Sequence, residues 1–247
     1  MNNILCEICV ESRDDVLAAQ EAGAHRIELC SSLSEGGLTP SAGLIQHVRK
    51  NTQLPIHIMI RPRRGDFCYS PLEIDTMIAD VTHAKTQGAD GIVLGLLNTN
   101  GTIDIDHTKQ LIKTARPLPI TFHRAFDLTR DPIEALDTVI TLGIDRILTS
   151  GCAPSVEQGI ETIQKLIVQA QGRTIIMPGG GINEQNAKTI IQKTQAKEIH
   201  FSGRTQIESP MKYRNEELAF SSASQSEYTH HITDTDRIRA ILHASKE

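Results

Sequence analysis

Two short motifs place an acid two residues before a thiol: Glu7-Ile8-Cys9 and Glu28-Leu29-Cys30. Side chains alternate faces along a strand, so within each motif the carboxylate and the thiol share a face. Other polar residues sit at the ends of apolar runs: Arg61, His123-Arg124, Thr149-Ser150 and His200. Carboxylates, imidazoles and guanidinium groups gathered in one place suit acid–base chemistry on an anion. A partly buried carboxyl has its pKa raised toward neutrality, and an arginine fork holds a carboxylate or phosphate. Glu7, Glu28, Arg61, His123, Arg124 and His200 form the expected catalytic set. The plainer reading is an ion-pair cluster that seals one end of the fold. Gly179-Gly180-Gly181, with Ser202-Gly203-Arg204-Thr205, offers backbone N–H groups of the kind that hold phosphate in barrel loops, although the glycines would also serve a tight turn. The expected substrate-binding positions are Thr149, Ser150, Gly179, Gly180, Gly181, Ser202 and Gly203.

The five cysteines divide by position. Cys6-Glu7-Ile8-Cys9 spells C-x-x-C, but residues three apart on a strand face opposite sides and no second C-x-x-C follows, so zinc is not expected. Cys9 and Cys30, on strands about 4.8 Å apart, are the pair that suits a soft ion of low coordination number such as Cu(I). Two small core thiols are the commoner fate of such residues. Cys68 and Cys152 fall in loops, and His230-His231 in a polar stretch.

These residues need a scaffold. Eight β-branched runs recur, at 4–10, 26–30, 55–62, 91–97, 119–125, 146–151, 173–179 and 198–203, with amphipathic segments between them. Alternating strand and helix signals imply parallel pairing through right-handed crossovers. Eight units in 247 residues are about 30 residues each, the size expected of a single-domain TIM (β/α)8 barrel spanning 1–247. An open doubly wound sheet is disfavoured because Val10-Glu11-Ser12 stands where its Gly-rich turn belongs. Thr39-Pro40 and Asp131-Pro132 predict helix starts, Asn183 predicts an N-cap, and Gly23, Gly88 and Gly143 predict helix stops. Segment 205–231 lacks a period and is expected to be irregular, packed on a neighbouring subunit or disordered, before a last helix over 234–243.

A net charge of −5 gives no reason to expect nucleic acid as a partner. No apolar run approaches the roughly 18–20 residues that span a bilayer. Met1-Asn2-Asn3 lacks a signal-peptide pattern, so a cytoplasmic location with reduced thiols is expected.

The same residues lie within longer motifs: Ile27-Glu28-Leu29-Cys30 with Glu35-Gly36-Gly37-Leu38-Thr39-Pro40, Met59-Ile60-Arg61-Pro62-Arg63 with Gly65-Asp66-Phe67-Cys68-Tyr69-Ser70, and Thr121-Phe122-His123-Arg124-Ala125-Phe126-Asp127. With Leu148-Thr149-Ser150-Gly151 and Pro210-Met211-Lys212-Tyr213-Arg214-Asn215, they resemble the CutC copper homeostasis proteins over essentially the whole chain. The resemblance implies a cytoplasmic TIM barrel that forms a homo-oligomer (dimer or tetramer), a role in copper tolerance or trafficking, and Cu(I) at Cys9 and Cys30. The polar mouth looks more enzymatic than a metal carrier needs. The alternative is therefore an enzyme acting on a small anionic, perhaps phosphorylated, metabolite by isomerisation, aldol-type cleavage or hydrolysis. The expected partner is accordingly a copper ion or a small anionic molecule.

Overall fold

The computed structural model describes residues 4–215, 217 and 226–246. Its eight parallel strands are β1 (Leu5–Val10), β2 (Arg26–Leu29), β3 (Ile56–Met59), β4 (Gly91–Leu94), β5 (Ile120–Phe122), β6 (Arg146–Thr149), β7 (Ile175–Pro178) and β8 (Glu198–Phe201). Each of the eight apolar runs contains one of them. Neighbours pair in the order β7-β6-β5-β4-β3-β2-β1-β8, and a parallel bridge between Gly179 and His200 brings the ends together. The result is a nearly closed (β/α)8 barrel.

The helices are α1 (Arg13–Ala22), α2 (Ala42–Asn51), α3 (Pro71–Thr86), α4 (Ile105–Ala115), α5 (Pro132–Thr141), α6 (Ile160–Ala170), α7 (Ala187–Thr194) and α8 (Thr235–Ala244). Short polar side chains start many of them by accepting otherwise unpaired first-turn N–H groups. Ser12 does so for α1, Asp131 with Pro132 at the first position for α5, and Asp234 for α8. Gly23 ends α1 in the left-handed region, at φ 93°, where other residues are strained.

Three local expectations are corrected. Helix α2 begins after Ser41, which caps Leu44, and not after Thr39. The Thr39 hydroxyl instead accepts the Arg61 N–H at 2.9 Å, so Thr39-Pro40 braces the end of β3. Asn183 does not cap α7, which follows Asn186; its side chain closes a preceding turn by accepting from the Gln185 and Asn186 N–H groups. The stretch expected to be irregular carries strands at both ends. There β9 (Arg204–Glu208) pairs antiparallel with β10 (Thr229–Thr233). Neither strand shows the alternation of a half-buried strand, because most of both is exposed or half-buried. Positions 216 and 218–225 of that stretch lie outside the described residues.

The strand faces decide where charge goes. Outward side chains such as Ile8, Ile27, Ile58, Ile92, Phe122, Ile147 and Ile199 join the helices in one hydrophobic cluster. Fully burying side chains of this size contributes roughly 1.5–3 kcal/mol each. Inside the barrel Cys30, Met59 and Val93 form a separate small apolar cluster. The remaining interior is largely polar, with Glu7, Arg26, Glu28, His57, His123, Arg146, Glu198 and His200 all buried. Among the described residues no helix is long and apolar enough to cross a membrane.

Candidate active site

The charges form two layers. The deeper one centres on Arg26, which donates to Glu7 and, at 2.6 Å, to Glu198. Arg146 grips Glu198 through two bonds of 2.6 and 3.1 Å and reaches the Thr121 hydroxyl at 3.3 Å. Burial opposes charge on Glu198, but Arg146 and Arg26 overcome it and hold the carboxyl below its ordinary value. His57 lies here too, 3.6 Å from Glu7. Burial lowers its pKa to about 4, so it is neutral at physiological pH. Gly91 makes room for it, because a Cβ there would collide with the His57 ring.

Two residues further along the strands lies the mouth. The register puts Glu7 opposite His200 and Cys9 opposite Glu28. His200 Nδ1 donates to Glu7 Oε1 at 2.8 Å, and its Nε2 faces Glu28 Oε2 at 3.8 Å. The Cys30 thiol donates to the same Glu28 oxygen at 3.4 Å. Burial opposes ionisation of Glu7, yet the His200 hydrogen bond and Arg26 hold it well below the carboxylate range. For Glu28 burial, with the Glu7 charge, outweighs the opposing His200 and Arg26 charges, and its pKa is raised. Burial also opposes charge on His200, but Glu28, Cys9 and Glu7 together raise the imidazole well above its usual value. Glu28 and His200 therefore titrate as one buried pair, with both groups shifted upward.

His123, at the end of β5, behaves oppositely. Its Nδ1 accepts the Ala125 N–H at 3.1 Å, which leaves the proton on Nε2. Burial, then the Arg61 charge, lowers its pKa to about 3, so it is a neutral N–H donor. The Phe67 ring lies 4.9 Å away, and a Cβ on Gly95 would sit 2.5 Å from Nδ1.

These groups surround one cavity of about 250 Å³, lined by Cys9, Glu28, Arg61, His123, Arg124, Gly180, Gly181, His200 and Ser202 with apolar Leu33, Met59, Phe67, Leu148 and Ile182. Three lining residues carry a buried polar atom with no hydrogen-bond partner: Glu28 Oε1, Arg61 Nε and His123 Nε2. Unsatisfied buried groups are costly and uncommon, and these three belong to residues that border one cavity.

The other expected site residues fall elsewhere. Glu7 and Cys30 lie behind the lining. Thr149 and Ser150 are buried and bond to Asp127, at 2.5 and 3.0 Å through their hydroxyls. Gly179 packs against Leu148 and Gly203 against Ile238. Arg61 and Arg124, of the expected catalytic set, do not pair with Glu7 or Glu28. Arg61 donates to the carbonyls of Glu35, Gly37 and Gly65 and lies over Phe67. Arg124 is held by Asp127 and Ser150, each at 2.8 Å. The partners of Glu7 are Arg26 and His200. Sequence reasoning missed Arg26, His57, Arg146 and Glu198, although each stands two or four residues before a residue it singled out, on the same strand face.

The donor sets offer limited accommodation for a metal. Atoms of Glu7, Glu28 and His200 lie within 4.8 Å of one another, an oxygen and nitrogen set better matched to a divalent cation than to Cu(I). Arg26 already engages its Glu7. Of the two thiols expected to take Cu(I), Cys30 is fully buried, and burial with the Glu28 charge raises its pKa well above normal. Cys9 borders the cavity, its thiol 3.7 Å from the Phe201 carbonyl.

Fold and site together define a (β/α)8-barrel protein with a charged interior and a polar mouth. The chain belongs to the CutC family, whose model matches residues 4–205. It is 48% identical over 241 residues to the human copper homeostasis protein cutC homolog, covering 97% of this chain and 88% of that protein. It is 46% identical to a CutC family protein from Bacteroides fragilis, covering 98% and 97%. The crystal structure of a CutC protein from Streptococcus agalactiae superimposes with a TM-score of 0.77 at 35% identity, covering 81% of this chain and 98% of that one.

Proposed function

We propose that this protein serves copper homeostasis in the cytoplasm, the role its relatives are named for, and that its barrel mouth is an active site that moves protons on a small anionic metabolite. The observation that carries the chemical reading is that Glu28, Arg61 and His123 line one cavity beside the Glu28–His200 pair and each carries a buried polar atom without a hydrogen-bond partner. Neutral His123 would donate from Nε2 to a substrate oxygen. Glu28, with its pKa raised, would exchange a proton with the substrate, and His200, fixed by Glu7, would sustain that exchange. A thermal-shift screen of anionic metabolites tests this. A ligand that stabilises the wild-type chain should lose its effect in Glu28→Gln and His200→Gln variants. If no anion binds, or if binding ignores both changes, the acid–base reading falls.

A second reading, Cu(I) as cargo on Cys9 and Cys30, is supported by family membership and by the two thiols' proximity, close enough for the Cys9 charge to raise the Cys30 pKa. Cu(I) would have to displace the proton that Cys30 donates to Glu28. Titration against a chromogenic chelator should show weakened Cu(I) binding in a Cys9→Ser, Cys30→Ser variant; unchanged affinity removes this site. We also propose a homo-oligomer, dimer or tetramer, with the segment beyond β9 in the contact, where Met211 and Tyr213 are exposed. Sedimentation of a Met211→Ser, Tyr213→Ser variant should report a smaller species.

A further inference from the structure

We infer that the metabolite is a phosphate monoester, with its phosphate between the loops after β7 and β8 and its reacting oxygen at His123 and Glu28. This rests on the acid–base reading and names the anion it acts on. The cavity has two chemically different walls. Glu28, His123 and His200 form the proton-transferring wall, and Arg124, Gly180, Gly181, Ile182 and Ser202 form the other.

The second wall is built to donate. Among the described residues, the N–H groups of Gly181, Ile182 and Ser202 reach no protein acceptor. Gly180 and Gly181 follow one another at φ 95° and 98°, so the loop passes close to Arg124. A Cβ on Gly180 would lie 3.2 Å from Arg124 Nη1. Asp127 takes Arg124 Nε and Ser150 takes Nη2, which orients the guanidinium and leaves Nη1 toward the glycine loop. Three backbone donors, one guanidinium nitrogen and the Ser202 hydroxyl thus belong to residues of this wall. A planar carboxylate has two oxygens to meet them, whereas a phosphate presents three around a tetrahedral centre. Arg61 is excluded from this role because backbone carbonyls hold both of its terminal nitrogens. In barrels of this fold the loops after strands 7 and 8 are a recurrent place for phosphate.

The test is a titration of the full chain with inorganic phosphate, followed by amide nitrogen–proton NMR, with acetate as the control anion. Phosphate should shift the Gly181, Ile182 and Ser202 amides saturably and more strongly than acetate. Arg124→Gln should weaken phosphate by about tenfold or more, the worth of a charge-assisted hydrogen bond. Arg124 is partly exposed, so the fold should survive, and unchanged dispersion of the remaining amides checks that. Glu28→Gln should leave phosphate affinity within about twofold, since it acts on the opposite wall. Amides that ignore phosphate, or respond equally to acetate, overturn the inference. The acid–base reading would still stand if a carboxylate metabolite bound in a Glu28-dependent way. Phosphate binding with no Glu28-dependent or His200-dependent metabolite would overturn that reading, and with it the assignment of the phosphate ester as substrate.

Discussion

The floor and the mouth of this barrel are built from the same residue types on the same strands, two positions apart, yet their charges are treated differently. On the floor Arg26, Arg146 and Glu198 satisfy one another through several short bonds. At the mouth Glu28 and His123 each keep a buried polar atom without a partner, and Glu28 shares its other oxygen with a thiol and an imidazole. Both layers perturb pKa values, so perturbation alone does not mark a functional site. What separates them is where the unpaired groups lie: the Arg26–Arg146–Glu198 network is closed and the unpaired His57 Nδ1 beside it faces Glu7 at 3.6 Å, whereas the residues with unpaired atoms at the mouth border a cavity.

That contrast is easiest to break by removing one charge from each layer. Arg146→Ala would leave Glu198 buried beside a lost partner and should cost about 3–5 kcal/mol in a denaturant unfolding experiment. Glu28→Gln removes a carboxyl whose ionisation burial already opposes, and should change stability by less than about 1 kcal/mol while abolishing ligand binding. Equal losses from both would make the mouth as structural as the floor.

Two glycines sharpen the comparison at an intermediate scale. Gly91→Ala would push a methyl into His57 and Gly95→Ala into His123, and each should cost about 1–3 kcal/mol by overpacking. Calorimetry should find similar losses, but only Gly95→Ala should also impair ligand binding, because only His123 borders the cavity.

The smallest effect is in the pH dependence. Glu7 and Glu198 have folded pKa values below ordinary, so their contribution is present above the unfolded value of about 4.5 and is lost as pH falls. His57 and His123 are neutral in the fold, so their contribution is lost as pH drops below 6.5 toward about 4 and about 3. His200 and Glu28 have raised values, and theirs is lost as pH rises, from 6.5 upward for His200 and from 4.5 upward for Glu28. Stability should therefore have an acid limb set by the floor and the neutral histidines, and a decline on the alkaline side set by the mouth. Urea midpoints across pH should show His200→Gln flattening the alkaline decline and weakening only the part of the acid loss that comes from Glu7, while the Glu198 part stays in place. If His200→Gln removes the acid limb instead, the charge assignment of the two layers is wrong.

Much of this architecture was readable in advance because its signals are local. Each of the eight runs became a strand, and Glu28, Arg61, His123, Arg124, His200 and Cys9 do line one cavity. Thr149 does not line the cavity because one residue of parity turns it away from the lumen toward Asp127. The β9–β10 ribbon was invisible because an exposed two-stranded sheet needs no hydrophobic alternation. Arg26, Arg146 and Glu198 were passed over because single charges within apolar runs look like solvated strand ends.

Sequence alone settled the number and order of the barrel strands and some helix ends, such as Asp131 before α5 and Gly23 after α1, because periodicity and capping act within a few residues. Only the tertiary structure decided which charge meets which. Arg26 reaches Glu198 across 172 positions, and His200 reaches Glu7 across 193. Such pairings depend on barrel closure and strand register, and it is these pairings, rather than residue type, that tie Arg26, Arg146 and Glu198 together and leave Glu28 and His123 each with an unpaired atom.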